Sequence, residues 1–343
     1  MASWKRRTTK SNEEAGGVVQ LLAELNLNNN VAATPLGGNQ NDGSHQVCAG
    51  AAVADGARIY NEENVLALGL ELVGFPPHRQ MTAKTLKLRR FRSFFGVGPK
   101  ALAELCHDLS RSTAHFDNTF LFLAVNFLCG YDTEHVLAGR WGFGEEKIRN
   151  SCRSYVKFIQ ALKERKVTWG GFDDGEVFII SVDGVHCRIQ EPRTDPGAKW
   201  YDHKTNSAGV SYELGVAIRR NQLVWIKGPF PASQHDITTF RSKDAPGEGL
   251  IDKIAEGKRA VGDSGYQGEP NKITITREGH SKELKKYLGR VKSRHETFNS
   301  RIKSFKVLDT AFRHGFKQHQ QCFEAVCILV QYDIENGHGL FEV

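Results

Sequence analysis

Apolar residues in the first half of the chain recur at helical spacing between about 58 and 168. The clearest run contains Phe120, Leu121, Leu123, Ala124, Phe127 and Leu128. Gly130 interrupts it, Asp132-Thr133 can cap a short helix, and a longer helix is expected over 145–163. Helix, short helix, turn and helix is the order of a helix-turn-helix, in which 145–163 would be the recognition helix. The same order is common in proteins that never bind DNA, so the pattern alone favours neither interpretation.

A Gly-x-Gly turn at 96–98 precedes another predicted helix. Similar turns in helix-hairpin-helix modules bind phosphate through backbone N–H groups. An ordinary helix start with Pro99 in its first turn explains the same residues and is favoured.

After residue 168 the pattern changes to short apolar runs bounded by turn residues, which predicts strands. The predicted strands are 177–182, 185–190, 212–219, 223–227 and 259–262. A helix is expected from Ser233, where Ser233–Asp236 fits a capping box, and a long one over 292–307. Strands followed by helices in this order indicate an α/β domain.

The first 57 residues are rich in Asn, Gly, Ala and Ser and are expected to form a disordered tail with one short apolar segment at 18–27. The expected organisation therefore has three parts. They are a tail (1–57), a small all-α, helix-turn-helix-like DNA-binding segment (58–168) and an α/β domain (169–343).

Charge and cysteine content narrow the class of protein. The net charge is +7, and residues 272–317 hold thirteen Lys or Arg against four Asp or Glu, which favours a polyanionic partner over a merely solvated helix. Seven irregularly spaced cysteines suggest reduced thiols in an intracellular protein. No apolar run is long enough to span a membrane, and no signal-peptide core is expected. The basic cluster at 5–7 fits a nuclear signal or a basic tail.

Two predicted strands end in the same way, with an aspartate beside a glycine. Asp183-Gly184 closes one strand and Gly262-Asp263 closes another, so the two carboxylates would face one opening if these strands are neighbours. Glu296 is the only acidic residue from 292 to 303. Turn formation or an ion pair explains each acid separately. Together, and beside a basic helix, they favour a site for Mg²⁺ and for phosphodiester cleavage.

Five sequence blocks occur in an order that resembles the DDE transposases of the PIF/Harbinger superfamily, distant relatives of bacterial insertion-sequence transposases. The blocks are DGVH (183–186), WYDHK (200–204), YELGVAIRRNQLVWIKGPFPASQHDITTFR (212–241), GDSGY (262–266) and RHETFNSRIKSF (294–305). The resemblance covers about 171–335 and implies an RNase H-like mixed sheet with flanking helices. It also implies that Asp183, Asp263 and Glu296 are catalytic and bind two Mg²⁺ or Mn²⁺ ions.

Other residues in these blocks are weaker candidates. His186, His235 and Asp236 are candidates for a second layer around the metal, although structural roles are favoured and the capping box alone explains Asp236. Tyr201, Asp202 and Lys204 are candidates for the DNA groove. The expected phosphate contacts, which would fix position and not sequence, are Lys292, Arg294, Arg301 and Lys303.

Four residues near the C-terminus raise the alternative of a zinc site. They are His314, His319, Cys322 and Cys327. Their spacing is looser than that of most structural zinc sites, so packing of the cysteines in the core is favoured.

The function expected from these residues and from the resemblance is that of a nuclear transposase that cuts and joins DNA at transposon ends. One alternative is a domesticated Harbinger-derived nuclease that no longer transposes. Another is a non-catalytic DNA-binding regulator that uses 118–163. The expected partner is DNA. The resemblance adds a Myb-like DNA-binding protein and self-association on DNA, and no membrane partner is expected.

Overall fold

The computed structural model describes residues 60–192, 197–203, 205–242 and 249–343. The predicted tail at 1–57 and the groove candidate Lys204 lie outside these ranges. No helix in these ranges is both long enough and apolar enough to cross a lipid bilayer.

The first part of the described chain is helical, as predicted. Its helices are α1 (Glu62–Leu72), α2 (Lys84–Phe95), α3 (Pro99–Ser112), α4 (Asn118–Gly130), α5 (Glu134–Trp141), α6 (Glu145–Ala161) and α7 (Lys163–Lys166), with a 3-10 turn at Pro77–Arg79. The predicted order of helix, short helix, turn and helix is confirmed as α4, α5 and α6. Thr133 caps α5 by accepting from the Val136 N–H, and Gly142 ends it in the left-handed conformation that glycine tolerates.

The Gly-x-Gly turn between α2 and α3 is an ordinary helix connection. Gly96 ends α2 with φ of 74°, and Pro99 is the first residue of α3. The Gly98 N–H donates to Asp333 Oδ1 at 2.8 Å, so this turn binds a carboxylate of the same chain.

A six-stranded mixed sheet follows. Its strands are β1 (Phe178–Arg188), β2 (Tyr201–Asp202), β3 (Ser207–Ala217), β4 (Leu223–Pro231), β5 (Arg259–Val261) and β6 (Ile273–Thr274). The order is β2-β3-β1-β5-β6, with β4 also paired to β3. The pairs β1–β5 and β5–β6 are parallel, and those of β3 with β1, β2 and β4 are antiparallel. The sheet is flanked by helices, which is consistent with the expected RNase H-like fold.

One strand replaces the two that were predicted on either side of Asp183. β3 pairs with β1 without interruption from Ile180↔Ala217 to Arg188↔Gly209. Asp183-Gly184 is therefore not a turn, and Asp183 lies inside a strand. Asp-Gly turns easily, but backbone hydrogen bonds to a long partner strand outweigh that local preference.

Helices in the second half cover both faces of the sheet. They are α8 (Gly197–Trp200), α9 (Asp236–Arg241), α10 (Leu250–Lys253), α11 (Lys282–Lys303), α12 (Lys306–Asp309) and α13 (Phe316–Glu335), with a 3-10 turn at Ser264–Tyr266. α11 starts ten residues before the predicted helix. The capping box at Ser233 is wrong, because α9 begins only at Asp236 and the Ser233 hydroxyl donates to the Lys199 carbonyl instead.

The core is continuous between the helical part and one face of the sheet. Alternate residues of β1, such as Val185 and Cys187, share a buried cluster with Phe122 of α4 and Phe323 of α13. Complete burial of each such aromatic contributes about 1.5–3 kcal/mol. A smaller cluster around Phe240 covers the other face. Residues 60–343 form one compact unit, and the functional division at 168/169 stays a prediction.

Candidate active site

The parallel pairing of β1 with β5 places Asp183 and Asp263 side by side. Ser181 pairs with Val261, and each aspartate lies two residues further along its own chain. Side chains alternate along an extended chain, so an equal step of two keeps both carboxylates on one face of the sheet. The two strands are thus neighbours, and this was the condition under which the sequence predicted that both carboxylates face the same opening.

Helix α11 brings Glu296 to the same place. His295 Nδ1 lies 2.8 Å from Ser181 Oγ, Asn299 donates to Asp183 Oδ2 at 2.8 Å, and Lys303 donates to the His186 carbonyl. From His295 to Asn299 the helix rises about 6 Å, and from Ser181 to Asp183 the strand rises about 6.6 Å. The nearly equal rise lets α11 lie along β1 and repeat the contact. Glu296 lies three residues before Asn299, which puts both on the same side of the helix. Its side chain is exposed.

Negative charge is concentrated at Asp183. Burial and, next in size, the charge of Glu296 raise the pKa of its carboxyl to about 7, and Asp263 and Asp236 contribute smaller effects of the same sign. The Gly184 N–H, which donates to Asp183 Oδ1 at 2.9 Å, lowers the pKa of Asp183. A carboxylate crowded in this way favours a nearby cation.

A fourth carboxylate, that of Asp236, touches the chain beside both aspartates. A Cβ added to Gly184 would lie 2.8 Å from Asp236 Oδ1, and one added to Gly265 would clash with Oδ2. Gly184 faces the side of the sheet opposite to Asp183, so Asp236 approaches from that side. The two glycines are therefore needed for this contact. Sequence reasoning named Asp236 but favoured a capping role that the structure does not contain.

Sequence reasoning missed Glu213, which lies next to this contact. Glu213 pairs with Gly184 in the β1–β3 register, and Trp225 Nε1 donates to its Oε2 at 2.9 Å. Burial raises the pKa of Glu213 to about 8, so the carboxyl is mostly neutral at pH 7. The available signal was one acidic residue inside the otherwise apolar run of β3.

Glu213→Gln is expected to make stability less dependent on pH. The pKa of Glu213 rises from 4.5 to about 8 on folding, so its stabilising contribution is complete below about pH 4.5 and is lost as pH rises towards and past 8. Glutamine cannot ionise. In urea titrations with EDTA, the variant should match the unaltered protein near pH 5 and exceed it by about a few kcal/mol near pH 9. Curves that stay parallel over this range would contradict the prediction.

Three of the four residues predicted to contact phosphate donate to backbone carbonyls of the fold. Arg294 is buried and donates to the carbonyls of Ala217, Arg220 and Phe341. Arg301 donates to the carbonyls of His338 and Gly339, and Lys303 to those of His186 and Leu308. Lys292 donates to the Thr276 hydroxyl at 3.0 Å. The burial of Arg294 argues against a phosphate contact there.

The two candidate histidines occupy different surroundings. His186 Nδ1 lies 3.7 Å from Asp202 Oδ2, and Asp202 is itself buried. His235 is exposed and precedes α9, where its carbonyl accepts from the N–H groups of Thr238 and Thr239. His186 is on the strand that carries Asp183, and His235 directly precedes Asp236.

The zinc alternative is not supported where the structure can be described. Cys322 and Cys327 are buried in the core, as favoured, and His319 Nδ1 lies 2.8 Å from the Tyr212 hydroxyl. Within the described ranges, no three His, Cys, Asp or Glu side chains are gathered closely enough to hold a metal ion. This applies to the three candidate carboxylates too: they are neighbours, but not a closed ligand set. Their oxygen atoms and excess charge nevertheless fit a hard divalent cation.

Residues 182–331 match the family model of the DDE superfamily endonucleases. Comparisons with curated proteins and with solved structures found no match. Asp183, Asp263 and Glu296 all lie within the matched segment. Endonucleases of this family typically use divalent metal ions, and the match implies DNA as the substrate. It supports a DDE transposase family for this chain and a function of the nuclease or transposase type.

Proposed function

We propose that this chain is a metal-dependent DNA endonuclease of the PIF/Harbinger type, with Asp183, Asp263 and Glu296 as its catalytic carboxylates. The observation that carries the proposal is the convergence of these residues, which are far apart in sequence. The β1–β5 register aligns the two aspartates, and Asn299 fastens α11 beside Asp183. The matched family segment contains all three.

The chain's own groups orient these carboxylates. Asn299 holds Asp183 Oδ2, and the Gly265 N–H holds Asp263 Oδ1 at 2.8 Å, so one oxygen of each aspartate has a fixed direction. Glu296 is exposed, so a metal ion that it holds would be accessible to DNA. One or two bound Mg²⁺ or Mn²⁺ ions would activate the attacking oxygen and stabilise the leaving one.

Several finer points of the proposal derive from the resemblance alone. They are joining of the cut end to target DNA by its 3′-hydroxyl, action at transposon ends, a nuclear location, a Myb-like partner and self-association on DNA. The domesticated nuclease would cut in the same way but would not join. A labelled pre-cut end incubated with target plasmid separates the two, since only a transposase transfers the label.

Cleavage of supercoiled plasmid tests the proposal directly. The purified chain is incubated with Mg²⁺, Mn²⁺ or EDTA, and nicked product is quantified. Nicking with either metal and not with EDTA is expected. Absence of nicking under every condition, despite tight DNA binding, would favour the non-catalytic regulator.

Asp236→Asn is expected to slow nicking by about 10- to 100-fold, the range for residues that position metal ligands. The reason is that Asp236 lies against Gly184 and Gly265 beside both aspartates, where its negative charge acts on Asp183 and helps to attract a metal ion. Gly265→Ala should have a similar effect, because its Cβ would displace the same carboxylate. Rates are measured over a range of Mn²⁺ concentrations.

Asp174→Asn, at an exposed position, serves as the matched control and should leave the rate unchanged. A positioning role also predicts that Asp236→Asn raises the Mn²⁺ concentration needed for half-maximal nicking. Loss of thermal stability without such a shift would make Asp236 a purely structural residue.

A further inference from the structure

Helix α2 and the turn before it lie in a stretch of exclusively positive charge. Between Glu71 and Glu104 the sequence contains no Asp or Glu and seven Lys or Arg. They are Arg79, Lys84, Lys87, Arg89, Arg90, Arg92 and Lys100. This local excess equals the net charge of the entire chain, +7.

Much of this charge is available to a partner. In the described part of the chain, the side chains of Arg79, Lys87, Arg89 and Lys100 make no hydrogen bond, ion pair or ring contact, and Lys87 alone is partly buried. Lys84 forms only an exposed ion pair with Glu62, at 3.4 Å. Such exposed pairs contribute little to stability, so Lys84 can leave Glu62 and bind another anion at a small cost in free energy.

Two other basic residues of α2 have structural roles and hold the surface in place. Arg90 lies over the ring of Phe75 at 4.9 Å, and Arg92 forms two hydrogen bonds with the buried Asp333. Lys87 and Arg89 therefore project from a helix that is anchored at both its middle and its end.

The end of α2 meets the end of the helix that carries Glu296. A Cβ on Gly96 would lie 2.5 Å from the ring of Phe305, two residues after the end of α11. From Glu296 to the end of α11 is about 10 Å, and α2 is about 18 Å long. The far end of α2 therefore lies at most about 30 Å from Glu296, which is within one turn of duplex DNA.

The exposed residues along this path carry no negative charge that would repel DNA. They include Ser300 on α11, Ser304 just after that helix, and Ser93 on α2, one turn from the free Arg89. A duplex held at Glu296 can therefore continue towards α2 without meeting an uncompensated carboxylate among these residues.

The candidate recognition helix α6 has the opposite character at its start. Glu145 and Glu146 are both exposed in its first turn. Arg149 in the second turn is bound by Glu134, with Nε to Oε1 at 2.9 Å. A phosphate backbone approaching this end of α6 would meet two carboxylates before any free cation.

We propose that α2, with the turn at Pro77–Arg79, is the surface that binds the backbone of duplex DNA flanking the cleavage site. This inference rests on the proposed function, because it takes DNA as the substrate. Lys and Arg contacts to phosphates supply affinity and position without reading sequence. The helix-turn-helix of α4–α6 is then a structural element of the fold.

Charge reversal on α2, compared with the same reversal on α6, tests the inference. The test variant is Arg79→Glu/Lys87→Glu/Arg89→Glu, in α2 and the turn before it, and the matched control on α6 is Lys147→Glu/Arg153→Glu/Lys157→Glu. Both change the net charge equally and both keep residues 1–59. Binding to a labelled duplex of about three helical turns is measured by anisotropy in EDTA between about 50 and 200 mM salt. Thermal unfolding confirms that each variant is folded.

The α2 variant should bind at least about 10-fold more weakly at low salt, and the slope of log K against log salt should fall by about 2 to 3, near 0.9 per lost phosphate contact. The α6 variant should stay within about 3-fold of the unaltered chain, because three reversed charges outside the interface act only through screened long-range repulsion. Unchanged binding by the α2 variant, or an equal loss in both variants, would overturn the inference. So would equally tight, α2-dependent binding of duplex RNA or anionic lipid vesicles.

Metal-dependent nicking by the same preparations separates this inference from the proposed function. Nicking by the unaltered chain, reduced in the α2 variant and restored by raising the DNA concentration, supports both. Binding that depends on α2 without any nicking would keep the DNA surface and remove the endonuclease. Nicking by a chain whose DNA binding does not depend on α2 would keep the endonuclease and remove the DNA surface on α2.

Discussion

Asp183→Asn is expected to reduce metal-dependent nicking by more than about 100-fold while DNA binding is retained. Loss of a residue that only hydrogen-bonds to a metal ligand lowers activity by about 10- to 100-fold. Asp183 is proposed as a ligand itself, so its loss should lower activity further. Asparagine has nearly the same shape and can still accept from Asn299. The change therefore removes charge with little disturbance of packing. The measurement is the rate of plasmid nicking in Mn²⁺, with binding followed separately in EDTA.

The same substitution should leave the free energy of unfolding unchanged or raise it. Burial and the charge of Glu296 raise the pKa of Asp183, which means that the fold disfavours its ionised form. A neutral amide removes this penalty. Activity lost together with unchanged or higher stability is the combination that a structural aspartate would not give.

Glu296→Gln should reduce nicking as Asp183→Asn does, because both side chains are proposed to bind the catalytic metal ions. Asp309→Asn, which removes an exposed carboxylate paired with Lys306, is the control and should nick normally. If Asp183→Asn nicked as fast as this control, the assignment of the three carboxylates would be wrong. The activity would then come from another site or from a contaminating nuclease.

Asp333→Ala is expected to destabilise the protein by about 1.5–3 kcal/mol, the range for hydrogen bonds to a charged group, because its carboxylate is buried although Arg92 is partly exposed. Asp333 is buried and joins three parts of the chain. Its two oxygens accept from Arg92 at 2.8 and 3.0 Å, and Oδ1 also accepts from the Gly98 N–H at 2.8 Å. Alanine would leave that N–H without its acceptor and would loosen α2 from α13. Urea unfolding measures the change.

The control for Asp333→Ala is Asp132→Ala. Asp132 also pairs with an arginine, Arg140, at 2.7 Å, but the side chains of both partners are about a third exposed (33% and 39%). Solvent screens such a pair, and its loss should cost at most about 1 kcal/mol. Equal effects of the two substitutions would show that the connection through Asp333 does not stabilise the fold.

Local sequence signals predicted the helices α4, α5 and α6 well. Their apolar spacing and the Thr133 cap act within a few residues, so the relevant forces can be identified along the chain. Local signals failed at Asp183-Gly184, where a turn was expected inside β1. The deciding interaction there is pairing with β3, some thirty residues away, which no local pattern reports.

The candidate carboxylates illustrate the same limit. Their identities and the resemblance of the blocks around them could be read from the sequence. The roles of Arg294 and Lys303 could not, because a long basic side chain can either reach solvent or turn inward to a carbonyl. Packing of α11 against β1 and the C-terminal segment decides between these choices. A basic composition therefore predicted a polyanionic partner but not which cations face it.

By itself, the sequence determined the helical first part, the α/β second part and the three acidic residues of the candidate site, because periodicity and motif order are written along the chain. The tertiary structure alone decided that β1 is continuous, that Asp236 touches Gly184 and Gly265, and that α2 presents the free positive charge. Each of these depends on contacts between segments distant in sequence, and their energies arise only when the sheet and helices have packed.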